Sequence, residues 1–422
     1  MVPFFLTRWH TDILGDGNHK WNRGSVSGSL GFLAEQVLID SITVLEQLIS
    51  FPTVSRTPNT ELVDHVRSML EAHGIQVKLI PSADGANANL HAHVGPEDRA
   101  GVMLSGHSDV VPVKGQHWTR EPFSLTREEG LLYGRGTADM KGFVACALRA
   151  MLLAAQSDLE IPLQFALSYD EEIGCVGVRR MLDMLESAPC QPAFCIVGEP
   201  TELKVATGHK GKTALDAHFT GKAAHSALAP EGFNAIHLAC DFINVLRQLQ
   251  SDIERSGLRD DDFDVPYTTI HVGVITGGTV LNIVPDRCTA EFEIRNLPRD
   301  NPDDLLDRIR EAAAELVSSA KASFPDADIR IETVNDYPAL ETGPDEEIVA
   351  FVQSLSGERS EYKVPFGTEG GLFRERLGIP TVVCGPGSMD QGHKPDEFIS
   401  VEQMRRCDAM MDRLLERLEA GD

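Results

Sequence analysis

The 422-residue chain is too long for one hydrophobic core and points to two domains or three. Its 42% hydrophobic and 24% charged residues are those of an ordinary soluble globular protein. A formal charge of −26 argues against nucleic acid or an anionic membrane surface as partner, and no apolar run approaches the roughly 18 residues of a membrane span.

The eight cysteines, at 146, 175, 190, 195, 240, 288, 384 and 407, form no Cys-x-x-Cys pair. Cys146, Cys195 and Cys384 sit in apolar runs, so the set reads as reduced core residues of a cytoplasmic protein. The start, Met1-Val2-Pro3-Phe4-Phe5-Leu6, is too short for a signal-peptide core and lacks a preceding basic region.

Residues 1–31 carry Gly15-Asp16-Gly17-Asn18 and Ser25-Val26-Ser27-Gly28-Ser29 without usable periodicity, which predicts a poorly ordered extension. Apolar residues at helical spacing (Leu33, Val37, Leu38, Ile42, Leu45, Leu48, Ile49) predict a helix from about Leu33 to Ile49. A second helix is predicted over Thr60–His73, ended by Gly74, and strands over Gln76–Ile80 and Asn89–His93. The apolar run Val102-Met103-Leu104 opens a short buried strand that breaks at Gly106 and presents His107 and Asp109. On extended backbone, residues two apart share a side. A carboxylate beside an imidazole is a usual way to hold a metal-ligating His.

Strand and helix then alternate. Asp139 follows the turn-rich Tyr133-Gly134-Arg135-Gly136-Thr137-Ala138 and begins a predicted helix to about Ala155. Strand Leu163–Ser168 leads to Asp170-Glu171-Glu172, a helix covers Val176–Glu186, and strand Phe194–Val197 ends at Gly198-Glu199-Pro200. This alternation predicts an α/β fold with a mixed, mostly parallel, doubly wound sheet. Ligands of such sheets bind outside the carboxyl ends of the strands, where these His and acidic residues fall.

Past Glu199 the order becomes strand Lys212–Phe219, helix Ala235–Leu249, strand Tyr267–Val274, strand Cys288–Arg295, helix Pro302–Ser319 and strand Asp328–Val334. That is the β-α-β-β-α-β order of a ferredoxin-like unit, read as a domain inserted over residues 208–335. Residues 32–207 and 336–422 then form a discontinuous first domain. Its return comprises helices Asp345–Ser356 and Gly370–Leu377, strand Thr381–Cys384, the run Gln391-Gly392-His393-Lys394-Pro395-Asp396-Glu397, and a helix over Val401–Leu418.

The candidate ligand set is His107, Asp139, Glu171 or Glu172, Glu199 and His393. Two imidazoles with three carboxylates suit a borderline divalent ion such as zinc better than calcium or magnesium. Five ligands exceed one tetrahedral site and fit two ions about 3.5–4 Å apart with a bridging carboxylate. The glutamate of the Glu171-Glu172 pair that does not ligate is free for proton transfer.

From about residue 35 onward the chain resembles the M20 family of dinuclear zinc amidohydrolases, and within it the acetylornithine-deacetylating branch. The motifs are Ser105-Gly106-His107-Ser108-Asp109, Gly134-Arg135-Gly136-Thr137-Ala138-Asp139-Met140-Lys141-Gly142, Asp170-Glu171-Glu172 and Gly198-Glu199-Pro200-Thr201. Further matches are Gly208-His209-Lys210-Gly211, His225-Ser226, Asn282-Ile283-Val284-Pro285-Asp286, Gly367-Thr368-Glu369-Gly370 and Gly385-Pro386-Gly387-Ser388 with His393.

The resemblance implies two divalent ions per subunit, zinc with cobalt as a substitute. His107 and Glu199 would hold one ion, Glu172 and His393 the other, and Asp139 would bridge them. Asp109 would orient His107, while Glu171 would take a proton from the attacking water and pass it to the leaving amine. A cis peptide is implied at Asp139-Met140. From the inserted domain, His225 would reach the partner subunit's site and stabilise the oxyanion, with Asn282 beside it, which makes the protein a homodimer. Arg295 would pair with the substrate α-carboxylate, and Gly367 and Thr368 would offer backbone and hydroxyl groups. The implied reaction is deacetylation of N2-acetyl-L-ornithine in arginine biosynthesis. The alternatives are a broader N-acyl-amino-acid amidohydrolase or dipeptidase, or a non-catalytic scaffold.

Other features have plainer readings. His117, His209, His218 and His271 are expected in loops or at the surface, and Asp260-Asp261-Asp262 in a solvated loop. A surface ion pair is the plain reading of Arg295. The Gly134-x-Gly136 turn lacks the strand and the Lys-Ser/Thr of a nucleotide loop.

Overall fold

The computed structural model describes residues 40–421. The predicted extension over residues 1–31, and residues 33–39 of the first predicted helix, lie outside them. The first half comprises α1 (Ser41–Ile49), α2 (Thr60–Glu71), β1 (Gln76–Pro81), β2 (Ala88–Val94), β3 (Val102–His107), β4 (Thr126–Glu128) and β5 (Leu131–Tyr133). Next come α3 (Gly142–Ala154), β6 (Leu163–Ser168), α4 (Val178–Glu186), β7 (Phe194–Pro200) and β8 (Val205–His209). A second group is β9 (Lys212–Thr220), α5 (Ala235–Ser256), β10 (Thr269–Gly277), β11 (Arg287–Arg295), α6 (Pro302–Lys321) and β12 (Asp328–Tyr337). The chain closes with β13 (Leu340–Glu341), α7 (Glu347–Ser356), β14 (Glu361–Val364), α8 (Gly370–Leu377), β15 (Thr381–Gly385), β16 (Phe398–Ser400) and α9 (Val401–Ala420).

The large sheet runs β1-β2-β6-β3-β7-β15-β8-β13, with β14 also on β8. Its middle four strands, β6-β3-β7-β15, are mutually parallel, and antiparallel pairs flank them on both sides. Every residue of β3 and β6 is buried, as strands covered on both faces must be. The apolar α3 lies against α1 and α9 on one face, its buried side including Phe143, Leu148 and Met151. On the other face α4 and α8 pack over Met181, Leu185 and Phe373.

The second sheet, β10-β11-β9-β12, is antiparallel throughout, with α5 and α6 on one face. Asn234 and Asn301 cap the two helices, each side-chain oxygen accepting a backbone N–H of the first turn. The core of this unit, around Leu215, Phe242, Phe292 and Ile309, draws only on residues between β9 and β12. We propose the division into 208–335 and the remainder on that separation of cores.

Three expectations need correction. The helix expected from Asp139 begins at Gly142, because Asp139 (φ −123°, ψ 94°) and Met140 are non-helical and the Asp139–Met140 peptide is cis. The N–H groups of Ala138 and Asp139 are taken by Glu397 Oε1 at 2.9 and 3.1 Å, and Lys141 N closes one wide turn on the Gly136 carbonyl at 2.8 Å before the helix starts. Asp260 is not simply solvated, since its carboxylate meets Lys363 Nζ at 2.6 Å.

His209 is the third. It lies fully buried in β8, a strand too short to leave a periodic signal. Its ring is satisfied by backbone alone: Nδ1 lies 3.0 Å from the Lys210 carbonyl, and Nε2 accepts from Gly371 N at 3.3 Å. Burial pushes its pKa down to about 4. The unfolded chain therefore takes up this proton near pH 6.5 and the folded chain only near 4, so stability falls as pH drops through that window. The share of His209 is about 2 kcal/mol between pH 7 and 5. Urea unfolding at the two pH values is expected to show a smaller loss in His209→Gln than in the unaltered protein. An equal loss would refute the assignment.

Candidate metal centre

Parallel strands end on one edge of a sheet, and the four central strands bring their carboxyl ends together. His107 is the last residue of β3, and Glu171 and Glu172 follow β6 across a turn at Asp170. Glu199 is near the end of β7, and β15 leads through a loop to His393. The turn after β6 is forced: Asp170 has φ +53°, held by Arg56 N donating to its Oδ1 at 2.6 Å. His393 also sits at positive φ (+62°). Non-glycine residues held in this region are costly and concentrate at functional sites.

Asp139 is central to the cluster. Its Oδ1 lies 3.2 Å from His107 Nε2, and its Oδ2 lies 3.0 Å from His393 Nε2. His393 Nε2 also meets the Glu172 carboxylate at 3.0 Å, and His107 Nε2 lies 3.6 Å from Glu199 Oε1. One potential donor atom each from His107, Glu171 and Glu199, or from His107, Asp139 and Glu172, lies within 4.8 Å of the others. All these residues are buried or nearly so except His393, whose side chain is 44% exposed and closes the cluster from outside.

Asp109 supports this arrangement more through backbone than carboxylate. The His107 Nδ1 contact at 2.9 Å is to the Asp109 carbonyl oxygen, and the carboxylate is 3.6 Å away. That carboxylate instead accepts Glu171 N (3.0 Å), Glu172 N (3.3 Å) and the Ser55 hydroxyl (2.8 Å), locking the two glutamates to β3. Glu171 Oε1 also receives the buried Cys175 thiol at 3.3 Å.

Burial pushes the carboxyl groups of Glu171 and Glu199 well above the usual range and that of Glu172 to about 7, and their mutual repulsion adds to it. Asp139 feels the same burial, but its hydrogen bonds to His107 and His393 hold it low. His393 is raised to about 10 by Asp139 and Glu172. Burial opposes the charged form of His107, yet Asp139 and Glu199 outweigh it. A pocket that draws protons so strongly is one whose charge a bound cation would balance. With imidazole nitrogens and carboxylate oxygens both present, the donor set fits divalent transition ions.

The other expected site residues make separate contacts. His225 is exposed, its Nδ1 accepting from Ala227 N at 3.1 Å, and its backbone bridges to Ile283 beside the exposed Asn282. No hydrogen bond among the described residues joins either to the cluster. Arg295 forks onto Glu293 (3.0 and 3.2 Å) and donates to the Tyr337 hydroxyl at 2.8 Å. Gly367 lies against the same Tyr337 ring, with no space for a Cβ. Buried Thr368 accepts Gly370 N on its hydroxyl at 3.0 Å. Ser55, Gln116, Arg135 and Glu397, which hold the ligand-bearing turns, carried no assignment in the sequence reading. Glu397 stands inside the quoted His-Lys-Pro-Asp-Glu run and Arg135 inside the quoted Gly-Arg-Gly-Thr-Ala-Asp run, whereas Ser55 and Gln116 stand in no quoted motif.

Comparison with known proteins gives the family. Residues 103–417 match the profile of peptidase family M20/M25/M40. The chain is 35% identical over 382 residues to an acetylornithine deacetylase of Myxococcus xanthus, covering 89% of this chain and 97% of that protein. It is 34% identical to an acetylornithine deacetylase of Proteus mirabilis over 384 residues, covering 89% and 96%. Among solved structures, an M20 family metallo-carboxypeptidase from Sulfolobus solfataricus superposes with a TM-score of 0.72 at 18% identity, covering 90% and 99%. A tripeptidase from Staphylococcus aureus superposes at 0.70 and 20% identity, covering 91% and 100%.

Proposed function

The chain belongs to peptidase family M20/M25/M40 and is a hydrolase of amide bonds, and from that premise we propose that it deacetylates N2-acetyl-L-ornithine. The products are L-ornithine and acetate, a step of arginine biosynthesis. Support for the substrate is the identity to two acetylornithine deacetylases over nearly their whole length. The metal reading is carried by the Asp139 carboxylate, whose two oxygens face two different imidazoles at 3.2 and 3.0 Å. His107 and Glu199 would hold one ion, His393 and Glu172 the other, with Asp139 between them. Zinc suits these donors, with cobalt as substitute.

When bound, such ions supply Lewis-acid polarisation of the scissile carbonyl. Glu171, held by its backbone to Asp109, takes the proton of the attacking water and returns it to the leaving amine. The Arg295 guanidinium receives the α-carboxylate by opening its fork from Glu293, and Gly367 and Thr368 flank the substrate. The broader alternative is an N-acyl-amino-acid amidohydrolase or dipeptidase, whose substrates carry the same α-carboxylate for Arg295.

Catalysis across a homodimer is part of the proposal. The edge strand β10 and its following hairpin expose Val274, Ile275, Val280 and Leu281, an apolar edge suited to a second copy. There the partner subunit would present its copy of the exposed histidine to the reacting carbonyl. His225→Ala is expected to lower kcat roughly 100-fold with unchanged metal content, the scale of a lost oxyanion donor. An unaffected kcat would remove the residue from the reaction. No helix among the described residues is long and apolar enough to cross a membrane, and the eight cysteines are free. We place the enzyme in the cytoplasm on the cysteines.

The test is amine release from N-acetyl-ornithine, N-acetyl-methionine, N-succinyl-diaminopimelate and a dipeptide by zinc-loaded protein. A clear preference for N-acetyl-ornithine is expected. Comparable rates on several acetyl amino acids would make it a general deacylase.

A further inference from the structure

His393 reaches the cluster from an exposed loop, at positive φ, with little packed around it. Its ring meets Asp139 and Glu172, Asp396 three residues on accepts the Thr119 and Arg120 N–H groups, and the His393 backbone is held as well. Gln116 Nε2 donates to the His393 carbonyl at 2.9 Å, while Gln116 Oε1 accepts Arg135 Nη2 and the Trp118 indole N–H. Arg135 lies 1% exposed with its guanidinium over the Trp118 ring, and donates Nη1 to Glu397 Oε2 at 2.6 Å. The other oxygen of Glu397 accepts the N–H groups of Ala138 and Asp139. The chain of contacts therefore starts at the main chain of His393 and ends at the main chain of Asp139, whose side chains meet at 3.0 Å.

We propose that Gln116 is a positioning residue that fastens His393 to Asp139 through Arg135 and Glu397. A buried Arg–carboxylate pair is rigid because breaking it would strand a charge. It carries the Asp139 turn at one end and, through the amide of Gln116, the His393 loop at the other. The amide is the one neutral side chain in the series, donating to a carbonyl through its nitrogen while accepting from a guanidinium through its oxygen. The inference rests on the ligand assignment made above, with His393 and Glu172 as the partners of one ion.

The experiment titrates zinc into metal-free Gln116→Ala, Gln116→Glu and His393→Ala and follows each equivalent, alongside the melting temperature of each metal-free protein. Gln116→Glu keeps an acceptor for Arg135 and Trp118, and replaces the donor to His393 with a carboxylate oxygen that the carbonyl repels. Both Gln116 variants are expected to bind one equivalent as the unaltered protein does and the other 10- to 100-fold more weakly, the usual scale for a residue supporting a ligand. An unchanged metal-free melting temperature in Gln116→Glu separates positioning from a general loss of stability. Two tight equivalents in Gln116→Glu, with one lost in His393→Ala, would overturn the inference alone. Two tight equivalents in His393→Ala would overturn the ligand assignment and the inference with it.

Discussion

Glu171→Ala is expected to bind its metal ions as the unaltered protein does and to lose roughly 10²- to 10⁴-fold in kcat, the range of a removed general base. The proposed role rests on two contacts. Its main chain is fixed to the Asp109 carboxylate at 3.0 Å, and its side chain is buried beside His107 and Glu199. Burial pushes the carboxyl well above the usual range, which raises its basicity. The same proximity poses the competing role, because an oxygen within 4.8 Å of those two donors could itself be a ligand. Metal content and kcat measured on one preparation separate the two. Loss of turnover with full metal content supports the base, whereas loss of metal would make Glu171 a ligand and return Glu172 to the choice of base.

Asp139→Ala is expected to abolish metal retention altogether and with it all measurable turnover. No other described carboxylate contacts both imidazoles, and each of its oxygens serves one of them. Removing it leaves the His107 and His393 imidazoles without the one carboxylate they share, and takes an anion out of the cluster that a cation would balance. The turn should survive, because Glu397 grips the backbone N–H of residue 139 and not its side chain. Metal analysis after gel filtration is the measurement. Retention of one equivalent would make Asp139 a terminal ligand of one ion and not a bridge.

Much of the cluster was legible in the sequence because strands that end in His or acidic residues place them on one edge of a parallel sheet. His107, Glu171, Glu172 and Glu199 follow from that rule alone. Asp139 does not, since it lies in a turn, and the helical reading of that turn missed that its N–H groups are held by a residue 258 positions away. Distance along the chain hides such partners. The Arg135–Glu397 pair spans 262 residues, and neither side chain has a local pattern to betray it. The burial of His209 is hidden for a related reason: it depends on β13, β14 and β15 assembling around a five-residue strand. The three-residue strands β4, β5 and β16 form a sheet too short to show a period. The inserted β-α-β-β-α-β unit was readable because β9 and β11 bury alternate residues in full view of the sequence.

The most direct test of a two-ion centre is an anomalous difference map from crystals of the zinc-loaded protein. Two peaks are expected, one on each side of the Asp139 carboxylate, the first against His107 and Glu199 and the second against His393 and Glu172. A single peak, or two peaks that do not share Asp139, would contradict it.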